Sequence, residues 1–131
     1  MKRFIAHVAL LVPDYDEAVA FYVGTLGFDL VEDTPLGGGR RWVLERPAGR
    51  DGTALLLAKA SGQAQESRIG SQTGDRVGFF LFTDDFARDH RAMSQAGVTF
   101  LEDPRHEDYG TVAVFADPFG NKWDLLQPRA D

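Results

Sequence analysis

Apolar and polar positions along this chain spell one pattern twice, about seventy residues apart. Leu11-Val12-Pro13-Asp14-Tyr15-Asp16 leads through a helical stretch to Gly27-Phe28-Asp29-Leu30-Val31-Glu32-Asp33. Phe82-Thr83-Asp84-Asp85-Phe86-Ala87 leads through a similar stretch to Gly97-Val98-Thr99-Phe100-Leu101-Glu102-Asp103. Each copy reads as strand, capped helix, glycine, strand. Ile5 to Val12 is an apolar run of strand length. Asp14 is placed to cap a helix, with Glu17 three residues on in a capping-box pattern. Tyr15, Ala18, Val19, Tyr22 and Leu26 then recur at helical spacing and predict the inward face. Gly27 ends the helix and Phe28 to Asp33 is a strand. Pro35-Leu36-Gly37-Gly38-Gly39 is a turn. Arg41 to Glu45 and Thr53 to Lys59 complete a β-α-β-β-β unit.

Residues 60–75 are polar and rich in Ser, Gln and Gly. They predict either a linker between modules or a flap over a pocket. The second unit repeats the order. Arg76 to Thr83 is its first strand. Asp85 caps a helix with Phe86, His90 and Met93 inward, His90 standing where the first copy has Val19. Val98 to Glu102, Thr111 to Ala116 and Lys122 to Gln127 follow as strands. The expected class is α+β: one domain over residues 1–131, built of modules 1–60 and 76–131 with a linker at 61–75. Two like modules suggest a shared cleft as the place to seek function.

Composition narrows the partners. The length of 131 residues allows one domain with a real core, and 44% apolar with 26% charged residues is ordinary for a globular protein. A formal net charge of −6 argues against nucleic acid. No cysteine is present, which removes disulfides, thiolate metal sites and a Cys nucleophile and fits a reducing, cytoplasmic setting. Lys2-Arg3-Phe4-Ile5-Ala6 is not read as a secretion signal, because His7 breaks the apolar run and no small-residue cleavage site follows. No apolar stretch approaches membrane-spanning length. The triple glycine lacks the Gly-Lys-Ser/Thr of a phosphate loop. Ser61, Ser67 and Ser71 are scattered through a polar segment and form no nucleophile pattern.

Two stretches resemble a known family. His7-Val8-Ala9-Leu10-Leu11-Val12, followed by the amphipathic helix and Leu26-Gly27-Phe28, is similar to the opening of a vicinal oxygen chelate module. Asp117-Pro118-Phe119-Gly120-Asn121-Lys122-Trp123-Asp124-Leu125 is similar to its close. The superfamily includes glyoxalase I, bleomycin resistance proteins, fosfomycin resistance enzymes and extradiol dioxygenases. The resemblance spans nearly the whole chain and implies two β-α-β-β-β modules forming an incomplete barrel, in a homodimer. It does not by itself imply an activity, since some members are metal enzymes and others only bind drugs.

Metal-dependent members place ligands at four strand positions. Carried over, these fall on His7, near Leu56, on Gly78 and on Asp124. Two of the four retain a donor, and Asp124 is shorter than the usual glutamate by about 1.5 Å. Catalytic zinc takes three protein ligands and facial non-haem iron sites likewise need three. No cofactor is therefore expected; a zinc, nickel, manganese or iron ion would have to rest on His7 and Asp124, with a third ligand such as His106 or a residue of a partner chain. The resemblance points both His7 and Asp124 into the cleft. There they form an acid–base pair or a polar pair that merely satisfies itself. The repeat matches Gly78 to His7, so with His7 facing the cleft Gly78 is assigned to the same side, and strand alternation puts Phe80 and Phe82 there with it. The missing side chain at Gly78 leaves room for a flat apolar group, or these rings serve dimer packing. Trp123 is expected beneath the sheet, whereas Trp42 is open to either face. Arg105 and Tyr109, between two strands, are candidate ligand contacts or part of a solvated turn. Arg40 and Arg41 carry the same two readings.

The leading expectation is a metal-independent binder of the bleomycin-resistance type, holding a small, partly aromatic molecule with Phe80, Phe82, His7, Asp124, Arg105 and Tyr109. The alternative is a glyoxalase-like lyase, isomerase or dioxygenase acting on adjacent oxygens, with or without a divalent metal as Lewis acid. A third is an accessory protein whose apolar face serves assembly.

Overall fold

A computed structural model describes residues 1–49 and 51–130. The chain divides into two compact units, Met1–Ile69 and Gly70–Asp131. The segment expected as a linker is thus shared. Residues 61–69 belong to the first unit and include a short helix, α2 (Gln63–Glu66).

The first unit runs β1 (His7–Val12), α1 (Tyr15–Val19), a π-helical turn (Ala20–Thr25), β2 (Asp29–Gly37), β3 (Arg40–Arg46), β4 (Ala54–Lys59) and α2. Its sheet has the order β1-β4-β3-β2, with β1 parallel to β4 and the other pairs antiparallel. The second unit runs β5 (Phe79–Phe82), α3 (Phe86–Gln95), β6 (Thr99–Phe100), β7 (Arg105–Glu107), β8 (Gly110–Ala116) and β9 (Lys122–Pro128). Its order, β5-β9-β8-β6 with β7 also on β8, reproduces the first, again with only the outer pair β5–β9 parallel. The sequence repeat is therefore a repeat of topology. The class is α+β, two mixed sheets of β-α-β-β-β-like modules.

The helices α1 and α3 are each started by the aspartate expected to cap them. Asp14 accepts from the Glu17 N–H at 2.9 Å, and Asp85 from the Arg88 N–H at 3.1 Å. The inward face of the first helix differs from the simple periodic expectation. Tyr15, Ala18, Phe21 and Tyr22 are buried, while Val19 and Leu26 are only half-buried. The cause is the π turn: Leu26 N–H bonds the Phe21 carbonyl, five residues back. Each such wide ring adds a residue and rotates the following positions, which swings Phe21 into the core.

In the first sheet the helix side carries Leu10, Val12, Val43, Leu57 and Leu55, all buried. Glu45 lies on this same side, registered against Leu55 of β4 and Leu30 of β2, and is completely buried. In the second sheet Phe115, Trp123 and Leu125 form the corresponding layer, with Phe86 and Met93 buried from α3. Trp123 stacks between Phe79 and Phe115 at 4.8 and 5.8 Å between ring centres, as expected of a residue beneath the sheet. His90 packs against Phe86 and Phe100.

Two strands are shorter than the sequence suggests. The Arg76 carbonyl is turned back to accept from Thr73 Oγ1, so the chain enters the ladder only at Gly78, whose N–H bonds Lys122 O. At β6, the Glu102 carboxylate accepts from Val114 N–H at 3.0 Å and so replaces the next rung of the ladder. The strand β7 was not expected from the sequence. No helix among the described residues is long and apolar enough to cross a membrane.

The Asp117–Asn121 turn explains its own motif. Asp117 is buried and accepts from the N–H groups of Phe119 and Asn121 and from Asn121 Nδ2, at 2.7–2.9 Å. Both carboxylate oxygens are used inside the turn that connects β8 to β9. This motif builds the hairpin and is not itself a ligand site.

Candidate functional site

The side of the first sheet away from its helix is set by alternation. His7, Ala9 and Leu11 of β1 share it with Ala54, Leu56 and Ala58 of β4 and with Leu44, Trp42 and Arg40 of β3. A cavity of about 860 Å³ opens there. Ala9, Leu11, Leu56, Ala58 and Trp42 contribute its apolar wall, and the β2–β3 hairpin closes one end through Leu36, Gly38 and Gly39. Gly38 and Gly39 have φ of 63° and 80°, which L side chains rarely adopt, so the tight hairpin depends on them. Ala60, Ser61 and Gln65, from the segment after β4, form another wall. The volume lies within the range of small-molecule sites.

Trp42, which alternation alone left undecided, faces this cavity, and the His7 ring meets it edge-on with centres 6.1 Å apart. Leu56, reached as a lost ligand position, is part of the apolar wall. The rim is cationic. Arg41 is held by Asp16 at 2.7 Å and by both oxygens of Asp33 at 2.7 and 3.1 Å, and its guanidinium lies 5.2 Å from the centre of the Tyr15 ring. Tyr15 Oη accepts from the Arg41 N–H, so the hairpin is tied to the helix. Hydrogen bonding to Arg41 holds the Asp33 carboxyl below its usual range and raises the guanidinium in turn. Arg40 and Lys59 also line the cavity, and among the described residues neither has an ion-pair partner. Lys59 escaped the sequence reading because a lysine ending a strand carries no distinguishing signal.

In the second unit, Phe80 of β5 is registered against Asp124 of β9, and Phe82 against Leu126. Phe80, Phe82 and Asp124 thus share the side away from α3, and the two rings are 59% and 65% exposed. The space expected at Gly78 is already filled. A Cβ there would stand 2.7 Å from Thr73 Cγ2 and Oγ1, so the missing side chain makes room for Thr73 and not for a ligand. Burial raises the Asp124 carboxyl above its ordinary value; Arg105 lowers it and Glu102 raises it further. Arg105 is not a free anion receptor. It bonds Glu102 at 3.0 Å, lies 3.6 Å from Glu107 and is also hydrogen-bonded to Tyr109. His106 Nδ1 is 3.3 Å from Thr111 Oγ1. Tyr109 is half exposed.

Among the described residues no three His, Cys, Asp or Glu side chains converge. His7 is flanked on its face by Ala9, Ala54 and Leu56, and the carboxylate nearest Asp124, that of Glu102, is already engaged by Arg105 and the Val114 N–H.

Residues 4–125 match the Glyoxalase/Bleomycin resistance protein/Dioxygenase superfamily, and the chain belongs to that family. An uncharacterized protein of Shewanella frigidimarina (strain NCIMB 400) is 54% identical over 128 residues, covering 97% of this chain and 95% of its own. The crystal structure of UcmS2 superposes with a TM-score of 0.82 at 30% identity, covering 96% of this chain and 98% of that one. TnmS3, an antibiotic binding protein from Streptomyces sp. CB03234, superposes with a TM-score of 0.77 at 32% identity, with 98% of each chain covered.

Proposed function

We propose that this protein binds a small, partly aromatic molecule without a metal, as a homodimer. The observation that carries the reading is the cavity of about 860 Å³ on the first sheet, with Trp42 over a wall of aliphatic side chains. A flat ring against Trp42, Leu56 and Ala58 gains roughly 25 cal/mol per Å² buried, plus stacking. His7, edge-on to Trp42, offers a ring nitrogen for orientation. The similarity to an antibiotic binding protein supports the same reading. Exposed Phe80 and Phe82 on the edge strand β5 support assembly with a second copy.

Two measurements test it. Planar aromatic probes should quench Trp42 fluorescence, with Trp42→Phe used to subtract the Trp123 signal. Elemental analysis of protein purified without chelators should find no stoichiometric ion, and zinc, nickel, manganese or iron should leave the melting temperature unmoved. Near-full metal occupancy that disappears in His7→Ala would overturn the reading in favour of a lyase or dioxygenase.

A further inference from the structure

The chain carries 20 acidic and 14 basic residues, yet three cations and no carboxylate line the cavity of the first unit. Of the three, Arg41 is neutralised by Asp16 and Asp33 and braces the hairpin. Arg40 alternates with Trp42 along β3 and so stands on the open side of the sheet. Lys59 ends the neighbouring strand in register with Val12, on the helix side of the sheet, and so borders the cavity from its rim. Both charges lack a counter-ion among the described residues.

The neutral polar groups agree. Gln65 accepts the Ser61 N–H through Oε1 at 2.8 Å. That bond uses the amide oxygen and leaves the Nε2 hydrogens to be donated, and the Ser61 hydroxyl adds another donor. The polar groups lining the cavity therefore include the Arg40 guanidinium, an amide N–H₂ and a hydroxyl, all able to donate. Such a lining suits a group that only accepts, and it disfavours a cation. We propose that the occupant is an aryl carboxylate, its ring against Trp42 and Leu56 and its carboxylate toward Arg40. This rests on the small-molecule reading above and adds the charge of the ligand to it.

The test compares three probes of one ring system by isothermal titration: 2-naphthoate, its neutral amide 2-naphthamide, and 2-naphthylmethylammonium. The naphthoate should bind about tenfold more tightly than the amide, as charge-assisted hydrogen bonds outweigh neutral ones. The preference should fall to about twofold or less in Arg40→Gln, while Arg91→Gln in the second unit should leave it unchanged. Added salt should weaken the naphthoate and spare the amide. Trp42→Leu should weaken both alike. Equal binding of all three probes, lost in Trp42→Leu, would overturn the charge selectivity and leave small-molecule binding standing. Stronger binding of the ammonium would do the same. Failure of all three at millimolar concentration would remove the binding reading and this inference together.

Discussion

Glu45 makes the strongest quantitative prediction. Its side chain is completely buried on the helix side of the first sheet, and neither carboxylate oxygen has a hydrogen-bond partner among the described residues. Burial alone pushes the carboxyl from an ordinary 4.5 up to about 8. The folded state therefore holds a proton that the unfolded chain releases between these two values. Stability must fall as pH rises through that window, because the native state binds more protons than the unfolded one. It is undiminished below about 4.5 and flattens above about 8. Each tenfold in proton affinity is worth ~1.4 kcal/mol, so the full loss is on the order of 5 kcal/mol, with ~3 kcal/mol already gone at pH 7. Glu45→Gln keeps the size and removes the titration. Urea unfolding at a fixed protein concentration, repeated from pH 4 to pH 9, should give near-equal stabilities for the two proteins at the acid end. The variant should be several kcal/mol more stable at the alkaline end. Glu45→Met also removes the unpartnered polar atoms and should gain a further ~1–3 kcal/mol at every pH. Parallel pH profiles for the native protein and Glu45→Gln would refute the reasoning, since the carboxyl would then be ionised and satisfied in the fold.

Other consequences follow from packing and turn chemistry. Asp117→Ala strips two backbone N–H groups and the Asn121 amide of their buried acceptor, and should cost ~3 kcal/mol in chemical denaturation without affecting probe binding in the first unit. Phe115→Ala removes a fully buried ring packed between Phe100 and Trp123, and should cost ~3–5 kcal/mol by the same assay. Gly78→Val should destabilise, because Thr73 already occupies that space; a neutral or stabilising outcome would restore the open pocket that the sequence suggested.

The sequence reading reached the module repeat because each module repeats local signals. A capping aspartate, apolar positions at helical spacing and a terminating glycine act within a few residues of one another, and Asp14 and Asp85 perform the roles that their positions announce. Trp123 and His90 were legible for a similar reason: alternation and helical phase decide which side they take. The first helix departed from its periodicity at the π turn. A bond from Leu26 to Phe21 is chosen by packing of the whole layer and leaves no mark in residue type. The open space at Gly78 failed as an inference because Thr73, five residues away, folds back over it.

What the chain determined by itself was the order of its elements, their caps and turns, and the poverty of metal donors at the strand positions that resemble ligand sites. Those follow from local sterics and from which side chains carry lone pairs. Only tertiary structure decided which charges were spent and which remained. Arg41 and Arg40 are adjacent and alike in sequence, yet the first is clasped by Asp16 and Asp33 while the second has no such partner among the described residues. It likewise placed Trp42 over the cavity and sealed Glu45 beneath the opposite face. Pleating sends neighbouring strand residues to opposite sides, and their surroundings come from strands and helices distant in the chain.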